Sequence, residues 1–394
     1  MAELILKPGR EKSVLRHHPW IFTGAIARLS EDVSPGATVD IYTSVGKWLA
    51  RGAYSPSSQI AVRIWTWRQI EKIEDDFFVD RIRRAVIARR SSDLGDTDAF
   101  RLIHGESDGL PGLIVDLYDN LAVVQLLSAG SEYWKNAIFQ GLIEALGSVH
   151  LYERSDADVR TLEGFTPRTG PILNNNVPTE VTIREHGLVY KVNVNSGHKT
   201  GFYLDQRNNR LIARNLSCDK DILDCFCYTG GFSLNAWAGK ARSITALDES
   251  EEALSLFREN LKLNQMCFDN VALCKGDVFQ LLRKYRDSNR SFDMIILDPP
   301  KFAPTTAQVE RASRGYKDIN LLAMKLLREN GLLMTFSCSG GVSLDLFTKI
   351  ISGAALDSGQ DFQIIAQLHQ AADHPIATNF PEGAYLKGLI LRRS

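Results

Sequence analysis

"DILDCFCYTGGFSLNAWAGKARSITALDES", residues 221 to 250, decides the fold of this chain. An apolar strand runs into a turn holding Thr229, Gly230 and Gly231; a helical stretch follows, and then a second strand that ends at Asp248. Glycines let the backbone approach a ligand, and an acid after the second strand is placed to accept hydrogen bonds from ribose hydroxyls. A dinucleotide site needs GxGxxG to cradle a pyrophosphate, and the loop lacks it. The expected cofactor therefore carries adenosine but no phosphates, and S-adenosylmethionine is the common one. Phe226, Tyr228, Thr229, Gly230, Gly231 and Asp248 are its expected contacts.

Working outward, strand-like and helical stretches alternate from about residue 195 onward. The strands are "DILDCF", "SITAL", "NVALC", "FDMIILD", "GLLMTFS", "FQIIAQL" and "YLKGLIL", with helices such as "SEEALSLFRENLKLN" between the early ones. This alternation predicts an α/β fold with a doubly wound, mostly parallel sheet. Ligands of such sheets bind at the strands' C-terminal ends. "CKGDVFQLL" puts Asp277 there, where it can accept from an adenine amino group or simply cap the next helix.

"FDMIILDPPKF" ends the fourth strand with Asp298 and two prolines that cannot continue it. An Asp-Pro-Pro turn followed by an aromatic, here Phe302, suits a site that orients a base or an amine. "TFSCSG", residues 335 to 340, ends the next strand with Cys338. A buried inert thiol is one explanation. Covalent catalysis is the other: C5 of a pyrimidine is a poor nucleophile until a thiolate adds to C6. Asp298 would then hydrogen-bond the base at N3 or N4. Cys225 and Cys227, on the first strand and loop, read as packing residues.

The 394 residues suggest more than one domain, and 44% hydrophobic with 24% charged residues is ordinary for a globular protein. Six cysteines without paired CxxC spacing, and no HExxH, predict reduced thiols and no metal. The opening "MAELILKPGREK" has no apolar core of signal-peptide length, and runs such as "LAVVQLL" are too short to span a bilayer, so a cytoplasmic location is expected. Net charge is −1, yet residues 1 to 90 hold 15 Lys and Arg against 10 Asp and Glu, a local +5. Such a region can bind phosphate or be a solvated face.

The first segment alternates short apolar runs with turns, as a small β-rich module does. "DDFFVDRIRRAVIARRSSDLG" reads as an amphipathic helix closing near Gly95, and "EVTIREHGLVYKVNV" as a hairpin around His186 and Gly187. His104, Glu106 and Asp108 read as a polar turn closed by Gly109 more readily than as a site.

The ordered set "GREKSVLRHHPWIFTGAI", "HGESDGLPGLIVD", "GHKTGFYLDQRNNR", "CFCYTGGFSL", "DPPKF", "GYKDIN", "FSCSG" and "AADHP" runs from end to end of the chain. It resembles the bacterial ribosomal RNA large subunit methyltransferase I family, cytosine-5 enzymes acting on 23S ribosomal RNA. The resemblance implies a PUA-like RNA-binding domain (1–75), a linking helix (76–97), a central α/β domain (98–192) and a Rossmann-like methyltransferase domain with a seven-stranded sheet (193–394). It also implies S-adenosylmethionine as methyl donor, Cys338 as nucleophile beside Asp298, and a homodimer. Gln206 and Arg207, with Lys199, would contact the methionine part or the RNA; Lys301, Phe302, Arg10, Lys12 and Arg16 would contact RNA. Asp298 would border the cofactor as well. Many RNA cytosine-5 enzymes carry a second cysteine after the Asp-Pro turn, whereas this chain has Lys301, which leaves the elimination base unassigned. Uracil-5 methylation, methylation of an exocyclic amine, and a non-catalytic assembly role are the alternatives.

Overall fold

The computed structural model describes residues 2–173, 176–267, 269–302 and 308–394. The chain divides into two compact units, one formed by Met1–Arg184, Val192–Leu204 and Ala372–Gly383, the other by Glu185–Lys191, Asp205–Ala371 and Ala384–Ser394.

In the first unit a six-stranded sheet runs in the order Trp20–Phe22, Ile60–Thr66, Trp48–Tyr54, Thr38–Tyr42, Ala2–Leu6, Ile26–Leu29. A five-stranded sheet follows in the order Arg168–Ile172, His150–Ser155, Leu121–Leu126, Leu113–Tyr118, Ala99–His104. The helix Asp75–Arg90 has acids in its first turn and arginines in its last, matching the helix dipole. It stops well before Gly95, where the Ser91 and Ser92 hydroxyls donate to the carbonyls of Ile87 and Ala88. The helix is part of the core: Phe78 and Ile82 are buried with Trp65 of the first sheet and Leu142 of the helix Lys135–Leu146. The two helices touch at Gly141, where a Cβ would lie 2.9 Å from Ile82. Of the helix arginines, Arg89 is buried and paired with Asp108 at 2.6 Å, so it supports the fold. Residues 105–108 form a single polar turn closed by Gly109 at φ +70°.

Glu163 is the polar centre of this unit. It is 2% exposed and accepts from Arg63 Nη1 (2.7 Å), Ser55 Oγ (2.9 Å) and the Ala129 amide (3.0 Å). Glu163→Ala removes the nearer carboxylate from the buried Arg63 and leaves it Glu106 at 3.7 Å, and the expected cost is about 3 kcal/mol. Urea unfolding of the full chain measures it; a loss below about 1 kcal/mol, the scale of a solvent-exposed pair, would contradict this account.

The second unit carries the seven-stranded sheet. Its strands are β1 (Asp221–Cys225), β2 (Ser243–Asp248), β3 (Val271–Lys275), β4 (Phe292–Leu297), β5 (Leu327–Ser337), β6 (Phe362–Leu368) and β7 (Lys387–Arg393). They lie in the order β3-β2-β1-β4-β5-β7-β6; β1 to β5 are parallel, and β7 runs antiparallel to both β5 and β6. The expected doubly wound, mostly parallel α/β sheet is thus present. Short buried runs such as Ile222, Leu223, Ile295 and Ile296 explain it: strands covered on both faces are apolar throughout. The helices include α1 (Arg207–Leu216), α2 (Gly231–Ala238), α3 (Glu251–Leu263), α4 (Val278–Asp287), α5 (Val309–Leu326) and α6 (Leu344–Ser358). Tyr316 and Ile319 of α5 and Phe347 and Ile351 of α6 pack in one core with β4 and β5. The hairpin Glu180–Glu185 with Leu188–Asn193 turns at His186 and Gly187, both at positive φ. Its Glu185 is buried against α1, accepting from Arg210 at 2.6 and 2.7 Å.

Candidate active site

Strand order reverses between β1 and β4, and in open α/β sheets the crevice outside the strand ends at such a reversal holds the ligand. The register aligns these ends: Cys225 pairs with Leu247 and Leu297, and Leu297 with Thr335. The residues immediately after them therefore lie along one sheet edge. They are the loop Phe226–Gly231, Asp248, Asp298 and Cys338.

The loop after β1 is built at a backbone cost. Phe226, Tyr228 and Gly230 have φ of +63°, +49° and +87°, a region non-glycine residues seldom occupy. Glycine is required at 230, since a Cβ there would come within 2.3 Å of the buried Phe257 ring. The loop is pinned from below: Asp248 Oδ2 accepts from the Tyr228 amide (2.8 Å), and Asn260 Nδ2 donates to the Thr229 carbonyl (3.0 Å). Asp248 Oδ1 accepts from the Ser250 amide (2.9 Å), so this carboxylate shapes the turn while keeping lone pairs for a ligand hydroxyl. Asp277 is exposed and caps α4, accepting from the Gln280 amide at 2.8 Å.

Two buried polar atoms here, Thr229 Oγ1 and Asp224 Oδ1, have no hydrogen-bond partner among the described residues. Buried polar atoms are normally paired, so a polar ligand at this edge fits the pattern. Asp224, at the end of β1, escaped the reading of the sequence because a lone acid in an apolar strand carries no spacing signal. It is 1% exposed, and burial, aided by the Asp248 charge and opposed by the Ser233 hydroxyl at 2.6 Å, pushes its carboxyl up to about 7. An acid whose folded value exceeds its unfolded 3.8 binds more protons folded than unfolded between those values. Stability therefore falls as pH rises through that window. Asp224→Asn keeps an acceptor for Ser233 and removes the charge. It is expected to match the parent near pH 4 and to exceed it by a few kcal/mol at pH 8, as read from denaturant midpoints without cofactor. Parallel pH slopes for the two proteins would refute the assignment.

Cys338 is half-buried and sits between two buried serines, and the structure explains the serines. Ser337 Oγ donates to the Tyr316 hydroxyl (2.9 Å), which also bonds Ser339 Oγ (3.1 Å), so α5 holds the backbone on both sides of the thiol. Tyr316 also meets the Phe302 ring, centroids 4.8 Å apart, and Phe302 packs against the core. Burial raises the thiols of Cys225 and Cys227 well above their ordinary range, as suits packing residues. Asp298 is half-buried at the end of β4, and Lys301 is exposed after it.

Gln206 and Arg207 open α1. Both are buried; Gln206 accepts from Asn209 Nδ2 at 2.6 Å, and Arg207 Nε lies 3.8 Å from Glu185. Arg10, Lys12, Arg16 and Lys199 belong to the first unit and are exposed; the Lys199 ammonium stands 4.4 Å over the Tyr203 ring. Among the described residues no group of three or more His, Cys, Asp and Glu could hold a metal ion, and no helix is long and apolar enough to cross a membrane.

Known proteins resemble this arrangement along the whole chain. Residues 4–67 match the model of a PUA-like domain, and residues 165–354 that of an S-adenosylmethionine-dependent methyltransferase. The ribosomal RNA large subunit methyltransferase I of Alteromonas mediterranea is 49% identical over 390 residues, covering 99% of this chain and 98% of its own. That of Escherichia coli O1:K1 is 48% identical over 392 residues, covering 99% of each. Among solved structures, a methyltransferase complexed with SAH superposes with a TM-score of 0.87 at 22% identity over 100% of both chains, a likeness of fold.

Proposed function

The chain belongs to the ribosomal RNA large subunit methyltransferase I family, and from that premise we propose that it methylates C5 of a cytosine in 23S ribosomal RNA through a covalent bond from Cys338 to C6. One observation carries the reading: a half-buried cysteine and the Asp298 of an Asp-Pro-Pro turn end neighbouring parallel strands, next to a loop suited to an adenosine cofactor. The cofactor is S-adenosylmethionine, which when bound supplies an electrophilic methyl group. Phe226, Tyr228, Thr229, Gly230 and Gly231 would line its site. Asp248 would take a ribose hydroxyl, and Asp277 and Asp298 would border it.

The target cytosine leaves its stack to reach the strand ends. The Cys338 thiolate forms the S–C6 bond, and the displaced C5=C6 pair makes C5 nucleophilic. Asp298 orients the ring, accepting from N4–H as a carboxylate or, in its protonated form, donating to N3, where it offsets the negative charge that thiolate addition places on the ring. Once C5 holds the methyl group, its proton passes to water or a neighbouring base. The C5–H pair re-forms the double bond, and the S–C6 bond breaks to release the thiolate. Arg10, Lys12, Arg16 and Lys199 are assigned to phosphate contacts in the same RNA, an expectation in keeping with the local positive charge. Reaction in the cytoplasm follows from the substrate.

Nucleoside mass spectrometry of ribosomal RNA from cells lacking the protein tests the assignment. Loss of one 5-methylcytidine from 23S RNA is expected; loss of 5-methyluridine or of an N-methylated purine instead would overturn it.

A further inference from the structure

Lys387 opens β7 and is followed by an apolar run, where a lysine has no packing reason to be. It is 7% exposed. In the antiparallel register of β5 and β7 it pairs with Ser337, while its ammonium reaches past the strand end and donates to the Ser339 carbonyl at 2.7 Å. It thus pairs with the residue before Cys338 and bonds the residue after it. A second N–H goes to the carbonyl of Tyr385, also 2.7 Å away. Neither carbonyl neutralises the charge, and a buried ammonium is costly unless an anion stands near it. The thiol between the two serines is the group at hand that can become that anion.

We propose that Lys387 is a positioning residue for methyl transfer: its ammonium, locked to the backbone beside the nucleophile, stabilises the Cys338 thiolate ready for addition to C6. The inference rests on the covalent reading given above. A neighbouring cation favours thiolate over thiol, and thiolate is the attacking form. Among the described residues, the charges acting on Lys387 come from Cys338 at the end of β5 and Lys301 in the turn after β4, and Tyr316 of α5 bonds the serines on both sides of the thiol. Burial brings the lysine down to about 8; the Cys338 charge works against that fall and Lys301 adds to it. Burial likewise raises the Tyr316 hydroxyl, to which a Cys338 charge contributes. Tyr316 therefore keeps its proton, accepting from Ser337 Oγ and able to donate to Ser339 Oγ, rather than becoming a competing anion. The Cys338 charge thus favours the charged form of the lysine.

Alkylation by iodoacetamide across pH, with the Cys338 peptide quantified by mass spectrometry, reads the thiolate directly and needs no RNA. In the unaltered protein the Cys338 midpoint is expected below that of the exposed Cys218 in the same digest; a midpoint at or above it overturns the proposal. Lys387→Gln keeps N–H donors for the two carbonyls but not the charge. It is expected to raise the Cys338 midpoint by about one unit, slowing alkylation near pH 7 about tenfold, with kcat falling in parallel. Lys387→Arg keeps the charge and is expected to retain most of both. An unmoved midpoint in Lys387→Gln, or a moved one with unchanged kcat, overturns the role. Methylation surviving in Cys338→Ala would instead defeat the covalent reading, a failure the alkylation profile does not share.

Discussion

Cys338→Ala is expected to lower methylation of ribosomal RNA by at least about a thousandfold, since loss of a covalent nucleophile removes the route by which C5 becomes reactive. S-adenosylmethionine binding should survive, because the loop after β1 is held by Asp248 and Asn260 and not by the thiol. The fold should survive as well: the thiol is half-buried, and the Ser337–Tyr316–Ser339 bonds remain. RNA carrying 5-fluorocytosine sharpens the result. Carbon–fluorine bonds do not release the halogen as a cation, so elimination stops after methyl transfer and the S–C6 bond persists. A protein–RNA adduct that resists denaturant is expected with the unaltered protein and not with Cys338→Ala. Full methylation by Cys338→Ala would point to attack by an exocyclic amine, with Asp298 orienting it.

Gly230→Ala is expected to abolish cofactor binding at ordinary concentrations. A left-handed φ costs a non-glycine residue about 1–2 kcal/mol. The added methyl would lie 2.3 Å from the Phe257 ring, inside a packed core that does not yield freely. Overpacking of that kind adds about 1–3 kcal/mol, and relief can come only from moving the loop. A rise of at least about a hundredfold in the dissociation constant for S-adenosylmethionine is expected by calorimetry, that being the equivalent of roughly 3 kcal/mol. Gly340→Ala is the control: among the described residues nothing lies within 4 Å of the Cβ it would add, and it should bind normally. Equal affinities in the two variants would show that Gly230 is not where the cofactor site is most tightly built.

Local pattern alone determined much of this protein. The buried apolar runs separated by helices, the glycine turn ahead of Asp248 and the breaks imposed by Pro299 and Pro300 are short-range features, and they predicted the parallel sheet and the strand ends at which Asp248, Asp298 and Cys338 stand. Cys338 and Asp298 were legible for the same reason, since each ends a strand whose period and boundaries are written in adjacent residues. Tertiary structure decided the rest. Asp224 is an ordinary acid in the sequence and becomes a buried carboxyl pushed up to about 7 only when the sheet closes over it. Tyr316 lies in α5, 21 residues before Ser337, and meets it only through the packing of that helix against β5. Lys387 reaches the Ser339 carbonyl, next to Cys338, because β7 enters antiparallel beside β5. Burial and cross-strand register depend on distant segments meeting in space, and no stretch of sequence carries either by itself.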